Sequence, residues 1–337
     1  MFKKQINNVK DFIIEEIKFI ILLIVIYIIC TFPVNYYIVV GGGISDIDSR
    51  LSVEEQSESK GSFNISYVTE IEGRLGPYLL SFIIPDWKRI SANDYKYDDH
   101  ESFEDIQFRS DLDLKIANAT ATMWAYKLAN KKFEITDTKI YVTAVLDDFD
   151  VGLKVQDEII SIDNIEFKNT VEYQSYIKKL KENDTVLVKV IRNGETKDIK
   201  TKVHSYKGSL LLGVGLGVVN DYKTDPKISI NFKKGESGPS GGLITTLSIY
   251  DKLIEEDVTK SLKIAGTGTI KEDGTIGEIG EVKYKLLGAI SDKADVFLVP
   301  KGDNYDTCIK LVKDRKLDIK VIGVGTIYEA VDALKEL

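Results

Sequence analysis

The sequence predicts an α+β chain: an apolar N-terminal helix, a small β-rich domain, and a C-terminal α/β domain. Three observations carry this reading. Residues 19–40 contain no charged side chain. Across 139–203, short β-patterned runs alternate with turns such as Arg192-Asn193-Gly194-Glu195. From Ile228 onward, strand-like runs alternate with segments of helical apolar spacing.

The first element is the run FIILLIVIYIICTFPVNYYIVV over 19–40. About 20 apolar residues span a bilayer's hydrocarbon core, so the run is expected to be a transmembrane helix. Tyr36 and Tyr37 suit the outer interface. Lys3, Lys4, Lys10 and Lys18 precede the run, whereas Arg50 is the sole basic residue in 41–59. That bias places residues 1–18 in the cytoplasm and everything after the anchor outside the cell membrane, as a single-pass protein. No small-x-small cleavage site follows, so the segment reads as retained.

Composition narrows the function. The chain has 337 residues, 43% hydrophobic and 29% charged, enough for more than one packed core. A net charge of −8 argues against a nucleic-acid partner. The two cysteines and two histidines form no metal-ligand spacing, and no metal or other cofactor is expected. His100 and His204 stand in no recognisable catalytic context.

Residues 41–133 read as a juxtamembrane linker with a hairpin and a helix. Phe63, Ile65 and Tyr67 alternate with polar residues as in a strand. Leu79 to Ile84 supplies a second apolar run. An acidic loop follows around Asp98 to Asp105. Leu112, Ile116, Ala119, Met123 and Tyr126 then share one helical face, with Met123 and Trp124 as core packing.

Residues 134–207 run strand, loop, strand, helix and hairpin. The segment Gly152-Leu153-Lys154-Val155-Gln156-Asp157-Glu158-Ile159 resembles the GLKxGDxI stretch of PDZ domains from bacterial envelope proteases. It departs at Gln156, where glycine is usual, and at Phe149-Asp150-Val151, where Pro-Ala usually precedes. PDZ domains add an extended peptide to a sheet edge. The resemblance implies a peptide site along Tyr141, Val142 and Thr143, flanked by Gly152 and Leu153. A β-rich spacer without a working groove stands as the other reading of this domain.

In the last region, 208–337, Gly238-Pro239-Ser240-Gly241-Gly242 lies between a strand-like run at 228–232 and a helical one at 243–256. Ser240 therefore sits at a helix start, where free N–H groups and the dipole favour negative charge. Such groups stabilise a serine alkoxide and a tetrahedral oxyanion, and the glycines admit a substrate backbone. A serine there also serves as a plain helix cap, and Ser237 has an equal claim by composition. Further on, Lys285 falls in the first turn of a helix beginning near Val282. A cation is disfavoured at that end, and burial would favour the neutral amine.

These segments, GPSGG, AGTGTI, GEIGEVKYKLLGA and VFLVP, resemble in order and spacing the proteolytic domain of the Lon family. With the anchor and PDZ-like region in front, the chain resembles a membrane-anchored, PDZ-containing Lon-like serine protease of Gram-positive bacteria. The resemblance implies a Ser–Lys dyad with Ser240 as nucleophile and Lys285 as general base. Thr267 would orient the lysine, and Gly238, Pro239 and Gly241 would shape the turn. Lys283 is a nearby alternative two positions early. Gly241 replaces the commoner alanine, and Glu281 replaces a glycine and is expected to point to solvent. Six-membered rings are common in the family, which implies a homo-oligomer. No Gly-x4-Gly-Lys-Ser/Thr segment occurs in this chain, so ATP-independent endopeptidase action on exported peptides or flexible segments is expected. The alternative is an inactive, membrane-tethered peptide-binding module.

Overall fold

A computed structural model describes residues 2–54, 57, 59–96, 101–146, 149 and 151–337. His100, Asp98 and Asp150 lie outside the described residues, as do the side chains of Lys3 and Lys4. The chain begins with α1 (Phe2–Thr31), β1 (Pro33–Asp46), β2 (Leu51–Val53), β3 (Ser62–Arg74), α2 (Leu75–Leu80) and β4 (Lys88–Ser91). Next come α3 (Phe103–Leu128), β5 (Lys132–Val145), β6 (Glu158–Ile162), α4 (Thr170–Ile177), β7 (Thr185–Arg192) and β8 (Glu195–Lys202). The short strands β9 (His204–Tyr206) and β10 (Ser209–Leu211) lead into β11 (Val214–Asp225) and β12 (Ile228–Ile230). Last are α5 (Gly242–Leu253), β13 (Lys263–Gly266), β14 (Thr269–Ile270), β15 (Ile276–Gly277), α6 (Val282–Ser291), β16 (Val296–Pro300), α7 (Asp303–Arg315), β17 (Lys320–Val324) and α8 (Ile327–Lys335).

The chain divides into two units, one of Met1–Gly41 with Val68–Tyr95 and one of Gly42–Tyr67 with Lys96–Leu337. In the first unit, Pro33 decides where α1 stops. A residue before proline is pushed out of the helical region, and the next segment becomes β1, paired antiparallel with β4 from Tyr36↔Ser91 to Val39↔Lys88. The apolar run at 19–40 is thus divided between helix and strand, which corrects the expected single transmembrane helix. Among the described residues no helix is long and apolar enough to cross a membrane. The large apolar side chains at 19–28 are nevertheless all exposed. The expected hairpin at 79–84 is instead the end of α2 and a turn. Pro77 sits in the first turn of α2, where its missing N–H costs nothing.

The second unit contains two larger sheets besides the two-stranded pairs β9–β10, β2–β12 and β14–β15. One has the parallel order β17-β16-β13-β3, with Ser62–Ile65 of β3 set beside Lys263–Gly266 of β13. Its strands alternate between two buried faces, as a parallel sheet covered on both sides requires. Ile264, Val296 and Leu298 face α5, α8 and the C-terminal half of α3. Ala265, Phe297 and Val299 face α6 and α7. The segment expected as linker therefore supplies a strand and a helix to this core. Ser102 and Asp105 form a capping box that starts α3. Trp124, near its end, donates Nε1–H to the Lys271 carbonyl at 3.0 Å.

The other sheet is antiparallel, ordered β11-β5-β6-β7-β8, and α4 closes its core with Tyr173 and Ile177. Asp157 is fully buried. It accepts hydrogen bonds from Arg192 Nε (2.6 Å) and Nη2 (2.7 Å) and from the Lys154 amide (2.8 Å). Gln156 has φ +77°, the left-handed region that glycine favours. The departure from GLKxGD at this position is thus a matter of backbone strain.

Candidate active site

Ser240 stands two residues before α5, in a turn closed by the Gly242 amide on the Pro239 carbonyl at 3.2 Å. Gly238 adopts φ +83° and donates its N–H to the Ser110 carbonyl of α3 at 2.9 Å. The Ser240 carbonyl accepts from the Gly268 amide at 2.7 Å and from Thr267 Oγ1 at 3.1 Å. These bonds tie the turn to the chain just beyond β13. A Cβ on Gly241 would come within 2.8 Å of the terminal methyl of Ile65, so alanine fits there once that flexible tip gives. A Cβ on Gly242 would meet the Ile270 backbone at 3.1 Å as well as its side chain, and that contact requires glycine.

Lys285 is buried, only 5% exposed, in the first turn of α6. Its Nζ lies 2.9 Å from Ser240 Oγ and 3.2 Å from Thr267 Oγ1. The single proton of Thr267 is committed to the Ser240 carbonyl, so its oxygen is left to accept from the lysine. An ammonium donates to Ser240 in this arrangement, whereas a neutral amine accepts the serine proton. Lys283 instead holds its Nζ 5.2 Å over the Tyr284 ring, and Ser237 is exposed.

Glu281, the residue before α6, has φ +60° and makes no side-chain cap. As at Gln156, the family's glycine reflects conformation. Glu281 as a whole residue is of intermediate burial.

Three supports of the site have no signal in the sequence spacing. Ser66 of β3 donates to the Lys285 carbonyl at 2.6 Å. Asn304 of α7 holds the backbone of Ile279 at both its N–H (2.8 Å) and its C=O (3.0 Å), just before α6. Arg50, beside β2, forms an ion pair with Glu236 in the loop before Ser240. Of the histidines, His204 stacks on Phe149 at 4.4 Å, away from the site. Among the described residues no group of His, Cys, Asp or Glu has the arrangement of a metal site.

The residues expected to bind peptide are placed differently. Tyr141, Val142 and Thr143 lie in β5, an inner strand. Tyr141 pairs with Gly217 of β11 on one side and Glu158 of β6 on the other. The Val142 amide is bonded to the Asp157 carbonyl at 2.9 Å. Where both sides of a strand are paired no backbone edge is left for an added peptide, so Tyr141 and Val142 are corrected; Thr143 falls at the bulge opposite β11. Leu153 is buried in the core, and Gly152, with φ +67°, gives its carbonyl to Arg192 at 2.9 Å. Burial and the neighbouring Glu158 carboxylate push the Tyr141 hydroxyl up to about 12. The strands at the ends of the sheet are β11 and β8.

Residues 127–203 match the PDZ domain, and residues 216–336 match the Lon protease (S16) C-terminal proteolytic domain. The chain thus carries a PDZ domain and a Lon-type protease domain. It is 31% identical over 117 residues to Lon protease 2 of Borreliella burgdorferi, covering 34% of this chain and 14% of that protein. It is 27% identical over 145 residues to the Regulator of sigma E protease of Haemophilus influenzae, covering 41% of this chain and 32% of that one. The chain therefore spans less than a third of the length of either relative. The solved PDZ domain of the SdrC-like protein from Listeria monocytogenes is 29% identical, covering 25% of this chain and 92% of that one, at a TM-score of 0.24.

Proposed function

We propose that the chain is a serine endopeptidase in which Ser240 attacks and Lys285 serves as general base. The observation that carries this is the 2.9 Å separation of Lys285 Nζ and Ser240 Oγ, with the amine buried at a helix start. Burial and the helix dipole both disfavour an ammonium there and favour the amine. Ser240 Oγ adds to the scissile carbonyl carbon while its proton passes to Nζ. The amides of Ser240 and Gly241, beside the N-terminus of α5, hold the oxyanion. Lys285 then gives the proton to the departing amine, which leaves an acyl-serine. Water attacks the ester, Lys285 takes its proton, and the proton returns to Ser240 as the acid departs. Thr267 keeps the amine aimed throughout.

The substrates in this reading are exported peptides or flexible protein segments, cleaved without ATP hydrolysis by this chain. The end strand β11 is where an extended peptide would add to the PDZ sheet. The exposed apolar side chains of α1 support association with a membrane; which face the protease domain occupies is tested by its accessibility to added protease on intact cells. The test of the chemistry is cleavage of an unfolded casein-type substrate by purified wild type and Ser240→Ala. Equal turnover by the two proteins would sink the mechanism. Stable peptide binding with no turnover and no labelling of Ser240 by a fluorophosphonate would favour an inactive peptide-binding module.

A further inference from the structure

We infer that Arg50 is a positioning residue for the nucleophile turn, acting through Glu236; the inference rests on the reading of Ser240 as nucleophile. Arg50 lies outside the segment that matches the Lon domain, yet it is 6% exposed and all three of its side-chain nitrogens are engaged. Nη1 donates to the Asp46 carbonyl (2.5 Å) and Ser49 Oγ (3.2 Å), and Nη2 to Ser45 Oγ (2.7 Å). Nε donates to Glu236 Oε2 at 3.1 Å, and Nη2 also bonds Glu236 Oε1, which makes the pair bidentate. The Arg50 carbonyl accepts from the Asn231 amide at 2.9 Å, fixing the start of the same loop.

Glu236 passes this hold onward. Its Oε2 accepts from the Lys233 amide at 2.8 Å, and its own N–H donates to the Lys233 carbonyl at 3.1 Å. Beyond it, among the described residues, the chain is anchored before Ser240 by the Gly238 amide on the Ser110 carbonyl. Gly235 and Gly238 both have positive φ, and Lys233, Lys234 and Ser237 are exposed. A stretch like this has much conformational freedom to lose and few buried contacts with which to lose it. A buried guanidinium gripping a carboxylate through two parallel bonds supplies direction that a lysine cannot. The proteolytic turn is thereby aimed from a segment nearly two hundred residues upstream, |i−j| = 186.

The test uses the full chain and compares Arg50→Ala, Arg50→Lys, Glu236→Gln and the Arg50→Ala/Glu236→Ala double variant. Fluorophosphonate labelling of Ser240 and kcat should fall about 10- to 100-fold in Arg50→Ala, with KM little changed. Arg50→Lys should recover part of the loss. The double variant should be no worse than Arg50→Ala, because the two residues act as one unit. Glu236→Gln keeps the side-chain shape and supplies the same measurement should Arg50→Ala fail to fold. Hydrogen exchange of the amides at 233–241 should quicken in the variants while exchange in the PDZ sheet stays fixed. Wild-type labelling and unchanged exchange in folded variants would overturn the positioning role. A wild type that never labels at Ser240, with exchange still quickened by Arg50→Ala, would instead defeat the nucleophile reading and leave the clamp standing.

Discussion

In the PDZ sheet, β5 to β8 pair strand to neighbouring strand within 132–202. In the protease sheet, Asn64 of β3 reaches the Ile264 carbonyl across |i−j| = 200. The first arrangement is local and its motifs are contiguous. The second recruits β3 and α3 from upstream of the matched segment and threads the PDZ domain between them and the rest. The difference shows how a candidate Ser–Lys pair can be recognised from short motifs while the residues packed around it cannot. Ser240 and Lys285 each carry a motif. Ser66, Ser110, Arg50 and Asn304 carry none, because each acts through contacts that exist only in the folded chain.

The largest expected effects fall on the dyad. Ser240→Ala and Lys285→Ala should each lower kcat by about 10³-fold or more, with a double variant no worse, as for groups that act as a unit. Single-turnover cleavage with parallel melting curves checks this, and additive losses would break the pairing. Second comes the claim that β3 belongs to the protease core. Phe63 is fully buried there, so Phe63→Ala should destabilise that core by about 3–5 kcal/mol. Chemical denaturation should show the loss in the protease transition and leave the PDZ transition in place. Loss confined to the PDZ transition would refute the assignment.

Glu281→Gly and Gln156→Gly follow, one in each domain. Left-handed backbone costs a non-glycine residue about 1–2 kcal/mol, partly offset by the entropy of glycine. Each variant should therefore gain up to about 1 kcal/mol, and Glu281→Gly should keep its activity. A Glu281→Gly variant that gains activity many-fold would show that the carboxylate had been suppressing Lys285.

The smallest effect is a pH dependence of the clamp. Burial raises the Glu236 carboxyl, but hydrogen bonds from Arg50 and the Lys233 amide, with their charges, outweigh it and hold the group below its ordinary value. A lowered folded value means the stabilisation is complete above the unfolded carboxyl's value, about 4.3, and is lost as pH falls through the folded one. Wild type should lose stability on acidification more steeply than Glu236→Gln. Parallel acid titrations of the two would remove this prediction.

Much of the fold was legible where period and chemistry coincide. The alternation at 63–67, the helical spacing at 112–126 and 243–253, and the GLKxGD-like stretch each became the expected element. Two of the readings that failed did so for identifiable reasons. Pro33 divides an apolar run that composition alone treats as one helix. The peptide site was assigned to β5 because the sequence does not say that β11, beyond the expected domain end, pairs along its length and leaves it an inner strand.

By itself the sequence determined the two domain types, the turn that carries Ser240 and the helix start that carries Lys285. Those features depend on neighbouring residues and on backbone preferences that short segments express alone. Only the tertiary structure decided that Lys285 Nζ stands 2.9 Å from Ser240 Oγ, that Thr267 Oγ1 bonds both the Lys285 amine and the Ser240 carbonyl, and that Arg50 grips the loop before Ser240. Distances between segments are set by packing of the whole core, where β3, β13, α3 and α5 must fit together at once.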